Sequence, residues 1–113
     1  MRYGIVLPFE QIHDLIDLAR TAERVGWDGF FVGDSIWSPD PWVTLAAIAA
    51  QTERMRLGPL LTPVSRRRPW KLAAESATLD QVSNGRTILV VGMGALDTGF
   101  ANLGEATDLK TRA

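Results

Sequence analysis

Cysteine is absent from this chain of 113 residues. That excludes disulfides, thiolate metal sites and cysteine nucleophiles, and it fits a reducing, cytoplasmic setting. Histidine occurs once, at His13. A metal centre would therefore have to be built from carboxylates, and no carboxylate spacing suggests one, so no metal is expected. No apolar run approaches the roughly 20 residues of a membrane span, so no membrane partner is expected. Met1-Arg2-Tyr3 leads into a strand-like segment rather than a signal-peptide core. Neither charge sign dominates: 12 basic and 13 acidic side chains leave a formal charge of −1. No polyanion, nucleic acid included, is implied as a partner.

The composition is that of an ordinary globular protein, with 46% hydrophobic and 22% charged residues. Surface scaling for this size gives roughly 6,100 Å² accessible when folded, against roughly 18,000 Å² unfolded. One core and one domain can be built. A second domain is excluded, as is a complete eight-stranded α/β barrel of about 250 residues.

The chain alternates strand and helix patterns. Tyr3 to Leu7 is a short β-rich run that stops at Pro8. Ile12, Leu15, Ile16, Ala19, Ala22 and Val25 then form one apolar helical stripe, closed by Gly26. Gly29 to Gly33 is a second strand. Asp40-Pro41 supplies an N-cap and a first-turn proline for the helix carrying Trp42, Leu45, Ala46, Ile48 and Ala49. Met55 to Leu61 is a third strand. Arg68-Pro69 opens a helix with Leu72, Ala73, Ser76, Leu79 and Val82 on one side, ended by Asn84-Gly85. Thr87 to Val91 is the clearest strand.

These strands are apolar throughout rather than alternating, as strands covered on both faces are. The spacing fits βαβ units with right-handed crossovers and a parallel sheet. After Gly92-Met93-Gly94, Asp97-Thr98-Gly99-Phe100 reads as a loop, and Glu105 to Arg112 begins a further helix. The fourth strand is therefore expected to lack cover on one face.

In parallel α/β folds, ligands sit beyond the C-terminal ends of the strands. Those segments are Pro8-Phe9, Gly33 to Trp37, Leu60 to Arg68 and Gly92 to Phe100. Asp34 there is either an acceptor for a ring nitrogen or sugar hydroxyl, or a loop carboxylate satisfying backbone amides. Phe9 and Trp37 are candidates to wall a flat-ligand pocket, whereas Trp42 and Trp27 read as packing residues. Arg66-Arg67-Arg68 reads either as an anion site or as a solvated run with one ion pair. His13 sits away from the functional end. Gly92-Met93-Gly94 falls short of a full G-x-G-x-x-G loop; its glycines let backbone approach a ligand or a neighbouring strand.

Three stretches resemble the bacterial luciferase-like family of flavin- or deazaflavin-dependent oxidoreductases. The most specific is Thr78-Leu79-Asp80-Gln81-Val82-Ser83-Asn84-Gly85-Arg86, followed by a strand and Gly92-Met93-Gly94. The others are Arg56-Leu57-Gly58-Pro59-Leu60-Leu61-Thr62-Pro63 and Ala22-Glu23-Arg24-Val25-Gly26-Trp27-Asp28-Gly29. The resemblance implies a TIM (β/α)8 barrel. Residues 1–113 would be one partial barrel domain, its N-terminal half, with four parallel strands, three helices and part of a fourth.

By that likeness Asp34 and Ser35 lie beside the cofactor ring, and Leu60, Leu61 and Thr62 lie under it. Many members have a non-proline cis peptide at this point, and the matching bond is Leu60–Leu61. Gly92 and Gly94 join the cofactor site, and Asp34 is the leading catalytic candidate. The implied cofactor is FMN or a deazaflavin of the coenzyme F-420 type, with NAD(P)H available as electron donor. The implied substrate is a small molecule. The implied activity is oxygen-dependent monooxygenation or deazaflavin-dependent hydride transfer. The alternative is a non-catalytic half-barrel that binds cofactor only when paired with another half, and its exposed edges favour a homo-oligomer. There are departures. Many members carry histidine where Ser35 stands, and serine is no acid–base group near neutral pH. Many deazaflavin-dependent members have an acidic residue soon after the glycines, where Asp97 is the nearest.

Overall fold

The computed structural model describes residues 1–7, 11–96 and 99–112. Its elements are β1 (Gly4–Leu7), α1 (Ile12–Arg24), β2 (Gly29–Val32), α2 (Pro41–Ala49), β3 (Arg56–Pro59), β4 (Thr62–Pro63), α3 (Pro69–Val82), β5 (Val91–Gly92) and α4 (Leu109–Arg112). Short 3-10 turns occur at Val64–Arg66 and Ala101–Leu103. The order β1-β2-β3 is parallel, and β4 pairs parallel with β5. The fold is a parallel α/β half-barrel, as the residue pattern and the resemblance imply.

Helix ends follow the local chemistry. Leu15, Ala19 and Ala22 on α1 are buried, and Gly26 follows in a left-handed conformation at φ 96°. Asp40 Oδ1 caps α2 by accepting from Trp42 N at 2.9 Å and Val43 N at 3.0 Å, with Pro41 in the first turn. α3 closes through Gly85 N donating to the Asp80 carbonyl at 2.8 Å. Phe30, Leu45, Ile48 and Leu57 are fully buried where the helices meet the sheet. No helix among the described residues is long and apolar enough to cross a membrane.

Two expectations need correction. The run Met55 to Leu61 is not one strand. It divides into β3 and β4 at a cis Leu60–Leu61 peptide, the bond the family likeness singles out. The neighbouring strand is divided with it. Thr87 bridges Leu57, and a regular ladder resumes only where Thr62 and Pro63 face Val91 and Gly92. The backbones touch closely between these points: a Cβ on Gly58 would lie 1.9 Å from the Ile88 carbonyl oxygen. Ile88 N still donates to Leu57 O, and Thr62 N to Val90 O, both at 2.8 Å.

The second correction concerns cover. The strands are apolar on both faces, but helices cover only one. In β1, Ile5 and Leu7 pack against the core while Val6 is exposed. In the fourth strand segment, Leu89 and Val91 are 43% and 53% exposed, as expected of a strand uncovered on one face. The accessible area is 6903 Å², above the roughly 6,100 Å² expected of a closed monomer this size. Among the described residues, β1 and β5 each pair on one side only.

Candidate functional site

The C-terminal strand ends bring four segments together. Leaving β2, the chain turns at Ser35: its hydroxyl accepts the Trp37 N–H at 3.1 Å, and Ser38 Oγ donates to its carbonyl at 3.0 Å. Ser35 is thus an organiser of the turn. The turn buries Asp34, whose side chain is 3% exposed. Asp34 Oδ2 meets Arg67 Nη2 at 2.8 Å, and Oδ1 lies 3.6 Å from Arg66 Nη2. Arg67 continues to Glu75 Oε2 at 3.1 Å and lies 5.8 Å from the Trp42 ring centroid. Lys71 closes the series, 3.7 Å from Glu75. Alternating charges therefore tie the β2 exit to the β4–α3 loop and to α3.

Beside this network, Thr62 is fully buried at the start of β4, and its hydroxyl has no hydrogen-bond partner among the described residues. Leu60 is exposed next to it. Gly92 and Gly94 come close to the same strand: Cβ atoms there would lie 2.9 Å from Leu61 Cδ2 and 2.9 Å from Pro63 Cβ. The loop after β5 is held from above. Phe100 is buried, with the Arg66 and Arg112 guanidiniums 5.3 and 3.9 Å from its ring centroid. Arg112 Nη2 also donates to the Met93 carbonyl and, at 2.6 Å, to that of Gly94.

Leu60, Leu61, Thr62, Gly92 and Gly94 thus form one contiguous group, joined to Asp34 through Arg66. Ser35 adjoins Asp34 in the turn. Trp37 stands 60% exposed rather than enclosing a pocket. Phe9 and Asp97 lie outside the described residues. Trp42 is buried, as expected of a packing residue, whereas Trp27 is partly exposed. His13 is exposed on α1. Among the described residues no cluster of potential ligands could hold a metal.

Two structural devices lie inside stretches that carry the family likeness, which by itself does not say what they hold. Arg86 is 7% exposed and spends all five N–H donors on oxygen acceptors. Nε reaches Ser83 O at 2.6 Å; Nη1 reaches Thr52 Oγ1 at 2.9 Å and Met55 O at 3.1 Å; Nη2 reaches Ala49 O and Thr52 O, both at 2.9 Å. The Thr78–Arg86 motif therefore pins the ends of α2 and α3 to the start of β3. Glu23 similarly receives the N–H groups of Glu53, Arg54 and Met55 at 2.9, 2.8 and 2.8 Å. Burial pushes its pKa up, but these amides and Arg54 outweigh that and hold it below the ordinary carboxylate value.

The luciferase-like monooxygenase family model matches residues 1–113. The chain belongs to this family. Among its relatives is an F420-dependent glucose-6-phosphate dehydrogenase of Nakamurella multipartita, 37% identical over 107 residues, covering 83% of this chain and 31% of the relative. The oxygenase component of a flavin-dependent trigonelline monooxygenase from Acinetobacter baylyi is 28% identical over 110 residues, covering 84% and 31%. The coenzyme F420-dependent tetrahydromethanopterin reductase of Methanopyrus kandleri superimposes with a TM-score of 0.88 at 29% identity, covering 94% of this chain and 30% of that one. The chain spans about a third of the length of the curated relatives it matches. Luciferase-like relatives include both deazaflavin- and flavin-dependent oxidoreductases.

Proposed function

We propose that residues 1–113 are one partial barrel domain that supplies half of the ring site of a two-electron oxidoreductase. The cofactor is a deazaflavin of the F420 type, and the substrate is a small molecule bearing an alcohol or imine. The setting is cytoplasmic, with neither nucleic acid nor membrane as partner. One observation carries the reading: a fully buried, unpartnered Thr62 hydroxyl stands at the strand ends beside an exposed Leu60. A buried hydroxyl without a protein partner costs stability unless water or a ligand completes it. The residues thus fit a flat heteroaromatic ring with polar edges.

In this role Thr62 bonds the ring edge, Leu60 and Leu61 support its apolar face, and Gly92 and Gly94 keep the neighbouring backbone free of side chains. Asp34, saturated by Arg66 and Arg67, holds the β2 turn against the β4–α3 loop and fixes Ser35. A bound deazaflavin supplies the hydride donor or acceptor; FMN, once reduced by NAD(P)H, supplies the site where oxygen reacts. The names of several relatives favour the deazaflavin, and one flavin-dependent relative keeps FMN as the alternative. The test is fluorescence titration of this chain with each cofactor. Saturable deazaflavin binding, weakened in Thr62→Val, supports the proposal; equal affinity in both proteins refutes it.

The open inner face and single-sided edges of β1 and β5 favour a second reading, in which cofactor binds only after another half, such as a second copy, closes the barrel. Sedimentation with and without cofactor separates the two. Binding to a monomer rejects the second reading, and binding confined to a dimer supports it.

A further inference from the structure

At the opposite end of the strands, Arg2, Arg54 and Arg56 line one cavity of about 490 Å³ together with Trp27 and Asp28. Arg2, Asp28 and Arg56 also line an adjoining cavity of about 250 Å³ on the inner face. The pairing register explains why this corner is open. Gly4, Gly29 and Arg56 stand side by side across β1, β2 and β3. A Cβ at Gly4 or Gly29 would come within 3.0 and 2.9 Å of the Phe31 ring, so neither position bears a side chain to cover Arg56.

The charges here are unbalanced. The ion pairs of the described residues engage other cations and leave Arg2 and Arg56 without a carboxylate. Arg54 donates only to the Glu23 carbonyl, at 3.1 Å, through its side chain. Asp28 is the single carboxylate of the lining, and its Oδ2 already accepts the Tyr3 N–H at 2.8 Å. Arg2 and Arg56, and Arg54, whose charge is shared with the Glu23 carboxylate, thus line one cavity in a chain whose formal charge is −1. Guanidinium forks match the paired oxygens of phosphate groups, and the partly exposed Trp27 gives the cavity an apolar wall.

We infer that this cavity binds a phosphate-bearing small molecule through Arg2 and Arg56, with Arg54 adding charge. The site is remote from the strand ends proposed to hold the cofactor ring and stands whether or not that proposal does. Calorimetric titration of this chain with pyrophosphate tests it. Saturable binding of one pyrophosphate per chain is expected, weakened about tenfold or more by Arg56→Gln and by Arg2→Gln, each of which removes a charge-assisted contact. Arg20→Gln, which alters an α1 arginine paired with Asp17 outside the lining, is expected to bind as the parent does. Absence of saturable heat, or equal weakening in all three variants, would overturn the inference. Arg2 precedes β1, so its variant keeps every strand contact and remains informative if Arg56→Gln fails to fold.

Discussion

Replacing Arg86 tests how the family's most recognisable motif works. Its guanidinium is buried with no carboxylate partner among the described residues, and its five donors serve four carbonyls and one hydroxyl. A net hydrogen bond contributes about 0.5–1.5 kcal/mol, more when one group is charged. Five such bonds from a charged donor sum to about 8–15 kcal/mol, largely offset by the desolvation cost of a buried charge. Truncation leaves the five acceptors unsatisfied and opens a cavity, so Arg86→Ala is expected to lose about 3–5 kcal/mol. Arg86→Lys keeps the charge but offers three donors rather than five, and should lose about 2–3 kcal/mol. Urea unfolding followed by circular dichroism reads both values. A loss below about 1 kcal/mol in Arg86→Ala, or Lys performing as well as Arg, would refute the idea that this side chain pins the helix ends.

Other expectations concern separate links. Glu23 has a depressed pKa in the folded state, so its stabilising contribution is present above its unfolded value near 4.5 and fades as pH falls through the lower folded value. Urea midpoints of Glu23→Gln should therefore approach those of the parent at acid pH, and a constant difference across pH would contradict this. A double-mutant cycle of Asp34→Asn with Arg67→Gln should give a coupling of about 1–3 kcal/mol; a coupling near zero would show that the 2.8 Å contact carries no stability. Gly58→Ala drives a methyl into the Ile88 carbonyl and should cost about 3 kcal/mol or more, read from thermal melting; a parent-like melt would disprove the close strand approach.

The elements set by local chemistry are legible in the residues themselves. The α1 stripe, the Asp40–Pro41 start of α2 and the Asn84–Gly85 stop of α3 each depend on neighbours within a turn. The break in the third strand is not legible from hydrophobicity, because an apolar run looks the same across a trans or a cis peptide; only the likeness of Arg56 to Pro63 to a family segment marks Leu60–Leu61. Asp34 is readable as a strand-end carboxylate, but its pairing with Arg66 and Arg67 spans more than thirty positions and follows from how two loops meet. Arg86 and Glu23 stand in stretches that carry the family likeness, but they bind mostly backbone carbonyls and amides far along the chain, so their role does not follow from the side-chain pattern. The resemblance puts Thr62 in the site, and its unpartnered hydroxyl emerges only from the packing around it.

Whether the C-terminal strand ends hold a deazaflavin ring is read most directly by amide chemical-shift mapping during titration with the F420-type cofactor. The expected result is a saturable set of shifts at 33–37, 60–62 and 92–94. Saturable shifts confined to other surfaces, or none at any cofactor concentration, would contradict the account.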